Sequence, residues 1–225
     1  MLRKNLFRLI FAIACTGIII AGPFRALAQE EAETEWNIWT SFEIKKDITD
    51  RLSAFVAPQV RFAEQFEVDE YFIQAGVEYE LFNFLDIAGN YRYLINERTN
   101  KSTEYFHRIA FDLVGKHDVK RLGLQLRTRY SNYDELDDNE GFNDATMRYR
   151  LKSDYDIQNS RFKPSIGVEF FHQLQDREIN KIRYIAEVAY KIDKVHDISV
   201  SYLLHAYPNQ DRRTNILTLE YQIDF

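Results

Sequence analysis

The chain has 225 residues, with 29 Lys or Arg against 35 Asp or Glu, 15% aromatic side chains and a mean hydropathy of −0.42. The acid excess disfavours a nucleic-acid partner, the length suits one domain behind a leader, and the low hydropathy excludes a bundle of membrane helices. Many aromatics at low mean hydropathy fit short amphipathic strands, because in a transmembrane barrel only every second residue meets lipid.

At the N-terminus, Arg3, Lys4 and Arg8 precede an apolar stretch from Leu9 to Ala21, and Ala26-Leu27-Ala28 follows with small residues at Ala26 and Ala28. This is the pattern of a cleavable signal peptide over residues 1–28, leaving a mature domain of 29–225. A membrane anchor is disfavoured, since Gly17, Gly22, Pro23 and Arg25 interrupt the run before the ~20 apolar residues of a span. Cys15, the only cysteine, lies inside the leader, so disulfides play no part in the mature protein. A lipoprotein box ending at Cys15 is disfavoured because the apolar region continues beyond it. The leader holds four of the 29 basic residues and none of the 35 acids, which leaves 25 against 35, net −10.

From Trp36 onward the hydrophobic period is two, and apolar alternation restarts after each polar break. The first three runs carry Trp36, Ile38, Phe42, Ile44; then Leu52, Ala54, Val56, Val60, Phe62; then Tyr71, Ile73, Ala75, Val77, Tyr79, Leu81. The next three carry Leu85, Ile87, Tyr91, Tyr93, Ile95; then Tyr105, Ile109, Phe111, Leu113; then Leu122, Leu124, Leu126, Tyr130. Runs around Met147–Tyr155, Phe162–Phe170, Ile182–Tyr190 and Ile198–Leu204 follow, and the chain closes on Leu217, Leu219, Tyr221, Ile223 and Phe225. Aromatics lie at the ends of these faces and aliphatics in the middles, as in the girdles of a barrel that crosses two lipid interfaces. Pro58, with no N–H to donate, predicts a bulge or incomplete pairing in the second run.

Tight links such as Phe82–Phe84 and His117–Lys120 alternate with longer ones such as Asn96–Glu104 and Asn132–Asp144, as periplasmic turns alternate with outer loops. The Asn132–Asp144 segment is rich in the carboxylates that Ca²⁺ takes, but it lacks EF-hand spacing and reads as a solvated outer loop open to a protein partner. The terminal alternation of Leu219, Tyr221, Ile223 and Phe225 resembles the signal that the barrel-assembly machinery reads on outer-membrane proteins. The fold expected is therefore an antiparallel transmembrane barrel of about ten to twelve strands in the bacterial outer membrane. Eleven runs conflict with the even count usual in bacteria. Ten strands from Leu52 to Phe225 close by themselves, so the Trp36–Ile44 run is expected to be a partial strand, a lumen-threading segment, or one of twelve.

On the inward phase the same runs place Arg61, Arg92, Arg108, Arg127, Arg129, Arg148, Arg150, Lys152 and Arg183 together with Glu43, Glu78, Glu80, Asp112, Glu169, Glu187 and Glu220. Charges withdrawn from water need partners, so the expected filling is an Arg/Glu network that largely occupies a narrow lumen. The alternative is a charged constriction, porin-like, that selects ions or small solutes. Arg127, Arg129, Arg148, Arg150 and Lys152 form a basic stripe on two consecutive runs, set to attract an anion or to face acids of the opposite wall.

Chemistry is sparse. His107 lies on the lipid-facing phase, where an imidazole is placed to work on lipid, but no serine stands two residues from it as in the His-x-Ser pair of outer-membrane phospholipases. No His/Cys metal cluster, phosphate-binding glycine loop or dinucleotide fingerprint occurs, so no cofactor and no enzymatic activity are expected.

His107-Arg108, Arg127-Thr128-Arg129-Tyr130, Arg148-Tyr149-Arg150, Pro164 with Glu169-Phe170-Phe171, and Arg183-Tyr184 recur in order along the runs, with Trp36 and Trp39 ahead of them. In that order the chain resembles the outer-membrane barrel family of Bacteroidota-type bacteria called domain of unknown function 2490. The resemblance implies a fold and a location and assigns neither an activity nor site residues.

Overall fold

The structure is a computed structural model that describes residues 33–63, 66–96, 103–135 and 144–225. The leader, its Ala26 and Ala28 cleavage site, and most of the acidic 132–144 segment lie outside the described residues.

Eleven strands follow one another: β1 (Glu33–Thr49), β2 (Leu52–Phe62), β3 (Val68–Phe82), β4 (Leu85–Asn96), β5 (Glu104–Val119), β6 (Leu122–Glu135), β7 (Asp144–Tyr155), β8 (Phe162–Gln173), β9 (Glu178–Lys191), β10 (His196–Ala206) and β11 (Arg212–Asp224). Each pairs antiparallel with the next. The sheet closes where β11 meets β1.

That last junction is parallel, as an odd number of alternating strands requires. Asp47 N–H donates to Phe225 O at 2.9 Å, and Phe225 N–H donates to Lys45 O at 3.0 Å. One residue bonded to both neighbours of its partner is the parallel pattern. The register holds along the seam: Glu35 meets Thr214, and Ser41 meets Glu220, both at a separation of 179 residues. The Trp36–Ile44 run is thus neither partial, nor threaded through the lumen, nor one of twelve. It is a full wall strand, and the odd count is satisfied by a parallel closure instead of a hidden partner.

Three of the turns at the rim holding Phe225, here the lower rim, are two residues long: 50–51, 83–84 and 120–121. In the third of these Lys120 adopts the left-handed conformation, φ 60°, common in tight hairpin reversals, while 50–51 and 83–84 turn without a positive φ. The alternation of short and long links is not strict, since the lower rim also carries a six-residue link at 156–161. Pro58 sits in the β2–β3 ladder opposite Ile73. On its other side, pairing with β1 lapses between Ser41–Gln59 and Ile44–Val56 without any change of register, so the proline leaves a gap and no bulge.

The period of two sorts the side chains by face. Ile73, Val77, Leu113, Leu126, Leu151, Ile166 and Val200 stand exposed on the outside. Aromatic pairs flank them: Phe82 on Phe84 (5.5 Å between centroids), Phe162 on Tyr190 (4.8 Å) and Phe42 on Tyr221 (5.8 Å) toward the lower rim, and Tyr93 on Tyr105 (6.4 Å) toward the upper. The buried residues line the interior, which is polar: Arg108, Ser131 and Glu169 are among the least exposed side chains in the chain.

Candidate functional site: the charged lumen

Because neighbouring strands present directly opposed residues, the inward charges lie in cross-strand rows. Arg127 faces Arg150, and Arg129 faces Arg148, across β6 and β7. Like charges directly opposite destabilise a sheet, so this block of four arginines needs carboxylates from its flanks. On one side Asp112 of β5, opposite Arg129, takes both Nε and Nη2 of that arginine in a bidentate fork. On the other, Glu169 of β8 lies between Arg150 of β7 and Arg183 of β9 in the ladders.

Glu169 is the hub. Only 1% of its side chain is exposed, and its two oxygens accept from Arg127 Nη2 at 2.7 Å, Arg148 Nη2 at 3.0 and 3.1 Å and Arg183 Nη1 at 3.1 Å. The acids answering the β6–β7 stripe therefore come from the adjoining strands β5 and β8 and, for Lys152, from Glu187 one strand further on, in β9, and not from the opposite wall. Arg183 also donates from Nε to His205 Nε2 at 2.7 Å, and His205 stands edge-on to Trp39.

The remaining sequence-predicted residues form separate sets. Arg92 and Arg108 converge on the Gln74 amide oxygen, each with an N–H at 2.9 Å. Arg61 pairs with Glu70 at 2.6 Å and lies over the Trp39 ring at 3.9 Å. Glu187 binds Lys152 at 2.8 Å, Glu220 accepts from Ser41 across the seam, and Glu78 pairs with Lys45 nearer the lower rim. Leu219, Tyr221, Ile223 and Phe225 lie on the outer phase of β11, opposite Val200, Ile198 and His196 for the first three. Phe225 is 59% exposed, and both its backbone groups are used in the seam.

Some participants were not anticipated. Trp39, Phe72 and Phe171 are inward aromatics on whose faces the cations rest: Arg92 over Phe72 at 3.5 Å, Arg148 and Lys181 over Phe171 at 4.4 and 4.2 Å. Cations so placed gain from the ring quadrupole when water is scarce. Their signal was available, since Trp39 lies off the Trp36–Ile38 phase, Phe171 off the Phe170 phase, and Lys181 two residues before Arg183. Ile185, Leu203 and Ile216 form one inward aliphatic row; in β11 Ile216 and Leu217 are both apolar, so alternation alone does not choose between them.

These groups surround a cavity of about 590 Å³ in the upper half of the barrel, bounded by Glu35 and Arg212 at the rim and by Arg129, Arg150, Glu187 and Glu220 below. A second cavity of about 400 Å³ adjoins it, sharing Arg148, Phe171, Lys181, Tyr207 and Arg212. A third, of about 140 Å³ between Lys45, Glu78, Asp86 and Lys116 at the lower rim, shares no lining residue with either. In between, Phe55 rests on Gly76: a Cβ there would stand 2.7 Å from Phe55 Cε1 and 2.8 Å from both Asn90 Cβ and the Gly89 carbonyl oxygen, so ring and neighbouring strand together leave room only for glycine. Ala110, fully buried, also faces inward in this stretch. Outside the wall, His107 lies between Tyr91 and Tyr93 and is hydrogen-bonded to the Tyr91 hydroxyl.

The family described as protein of unknown function (DUF2490) matches residues 36–215, from Trp36 in β1 to Asn215 in β11. The chain belongs to the DUF2490 family. Comparison of this DUF2490 protein with curated proteins found no match. The match takes in Glu169 and every arginine bonded to it, while Glu35 and Glu220 of the same lumen lie just outside the matched residues.

Proposed function

We propose that this DUF2490 protein is a non-enzymatic barrel of the bacterial outer membrane, with a structural or binding role set by an ion-paired lumen that is closed below its upper cavity. The observation that carries this reading is the segregation of side chains: exposed aliphatics with flanking aromatics cover the outside, and the arginines and carboxylates lie within. So continuous an apolar exterior is costly in water and favoured in a bilayer, which supports this reading. The residues described as exposed outside are apolar along the middle of nearly every strand, which a soluble barrel with an internal ligand would not require. Biogenesis would then pass through the barrel-assembly machinery, with Leu219, Tyr221, Ile223 and Phe225 as its recognition signal.

The non-enzymatic part of the proposal is supported by the histidines. His107 bonds the Tyr91 hydroxyl on the outer face with no third group orienting the pair, and His205 is held by Arg183 and Trp39 with no hydroxyl bonded to it, so neither forms a nucleophile, base and orienter set. Closure of the lumen is supported by Phe55 on Gly76 and by the separation of the lower cavity from the upper two.

Expression in a Gram-negative host followed by fractionation tests the location. The protein is expected in the detergent-resistant outer-membrane fraction with heat-modifiable gel mobility; release into the soluble periplasm overturns the proposal. A second reading, a narrow anion-preferring pore, is favoured by the size and charge of the upper cavity. Planar-bilayer recording separates the two: a silent trace from folded protein supports closure, and steady conductance whose ion preference reverses in Arg129→Glu supports the pore.

A further inference from the structure

The hub is not electrically balanced. Arg127, Arg148 and Arg183 share the single carboxylate of Glu169. Arg150 has the neutral Gln125 amide as its bonded partner, at 2.8 Å. Lys181 has the Phe171 face, and no carboxylate lies within ion-pair distance of it among the described residues. Five cations thus gather around the one carboxylate of Glu169, the Arg129–Asp112 pair beside them is already matched, and the cavity of about 590 Å³ as a whole is lined by ten arginines and lysines against five acidic residues.

We propose that the upper lumen is a binding site for a small solute carrying two or more negative charges on oxygen, held by Lys181, Arg148 and Arg150 beside Glu169. The inference rests on the lumen being an aqueous compartment walled off from lipid, as proposed above. Three features point to this chemistry. The uncompensated charge demands an anion of more than one charge. Guanidinium forks with an ammonium point charge suit phosphoryl and carboxylate oxygens alike. The volume falls in the range of small-molecule sites, roughly 300–1,000 Å³. The site faces the lumen behind the strand wall and adjoins the cavity that Tyr207, Gln210 and Arg212 bound at the upper rim, so the ligand is a free solute and not a lipid headgroup.

The experiment is calorimetric titration of the mature chain, folded in detergent and checked by heat-modifiable mobility, with pyrophosphate in one arm and citrate in the other at low ionic strength. Saturable binding is expected in at least one arm, naming the phosphoryl or the carboxylate class, with choline as an inert cation control. Affinity is expected to fall at least tenfold in the double variant Lys181→Gln/Arg150→Gln. Should that variant not fold, Lys181→Met keeps the aliphatic stem on Phe171 and is expected to lower affinity several-fold. No saturable heat with folded wild type in either arm, or unchanged affinity in Lys181→Met, overturns the inference. Fractionation and conductance report on the membrane reading separately, so the failure of one leaves the other standing.

Discussion

Replacing Glu169 by glutamine keeps the shape of the hub and removes its only negative charge. Arg127, Arg148 and Arg183 would then face one another, each within 3.1 Å of the former carboxylate and with side chains only 12–15% exposed. Two unit charges 4 Å apart interact by about 4 kcal/mol at an effective dielectric of about 20 before desolvation is counted. Stripping one partner from a buried pair costs about 3–5 kcal/mol, because the other charge is left uncompensated. The adjoining cavity admits water and counter-ions, which places the expected loss at the lower end, about 3 kcal/mol. With a urea slope of about 1–3 kcal/mol/M, this corresponds to a midpoint lowered by about 1–3 M in vesicle-refolding equilibria. In the double variant Glu169→Gln/Arg183→Gln, deleting one of the three cations is expected to restore part of the loss, a coupling of about 1 kcal/mol or more. A midpoint within about 0.3 M of wild type for Glu169→Gln, combined with additive behaviour in the cycle, would falsify the hub argument.

Val77, half exposed near the middle of β3, is expected to tolerate arginine poorly, at about 2–4 kcal/mol in a bilayer; equal stability of Val77→Arg and wild type in lipid vesicles contradicts a lipid-facing wall. Gly76→Ala brings a methyl to 2.7 Å from Phe55 Cε1 and to 2.8 Å from both Asn90 Cβ and the Gly89 carbonyl oxygen and is expected to lower stability by about 1–3 kcal/mol through overpacking. Gly76→Ala/Phe55→Ala leaves two of those contacts and is expected to recover only part of the loss, and a Gly76→Ala midpoint equal to wild type in the same unfolding assay contradicts the close packing. Deleting Phe225 removes both backbone bonds at the end of the seam and is expected to leave unfolded precursor in the cell; normal yield of folded protein from the truncated gene refutes its role. In the β9–β10 turn, Asp193 Oδ1 accepts the Val195 and His196 amides at 2.9 Å each, and these two bonds, Val195 first, hold its carboxyl below the usual range. A carboxylate so depressed stabilises the turn above its unfolded pKa and ceases to do so as pH falls through its folded one. Asp193→Ala is accordingly expected to unfold at lower urea at pH 7 and to match wild type only in strong acid.

The wall was legible because a barrel writes its inside and outside on alternate residues. Each run from Trp36 to Phe225 became a strand, and Arg127, Arg148 and Glu169 point inward as their phase required. What alternation does not carry is which residue stands opposite which. Pairing register is set by turn length and by bulges, such as those at Glu80/Phe82 and Phe171/His172, so the choice of Glu169 over Glu187 as hub emerges only in three dimensions. Lys181, two residues before Arg183, and Trp39, off the Trp36–Ile38 face, were legible in phase, but neither was given a place in the lumen from sequence. The parallel seam was the least legible feature, since nothing in a single strand's sequence declares whether its last neighbour runs with or against it.

That seam has a consequence for how the chain is handled. In a barrel of even strand number both termini emerge at one rim, and the ring can be cut open at any turn and rejoined by a short link. Here Glu35 and Phe225 lie at opposite rims, so joining the ends calls for a connector as tall as the apolar band, about 25 Å or roughly eight extended residues. Epitopes fused ahead of β1 and behind Phe225 would accordingly be displayed at opposite rims of the barrel. With the barrel in a bilayer, as proposed, each end of this one chain would report on a different compartment.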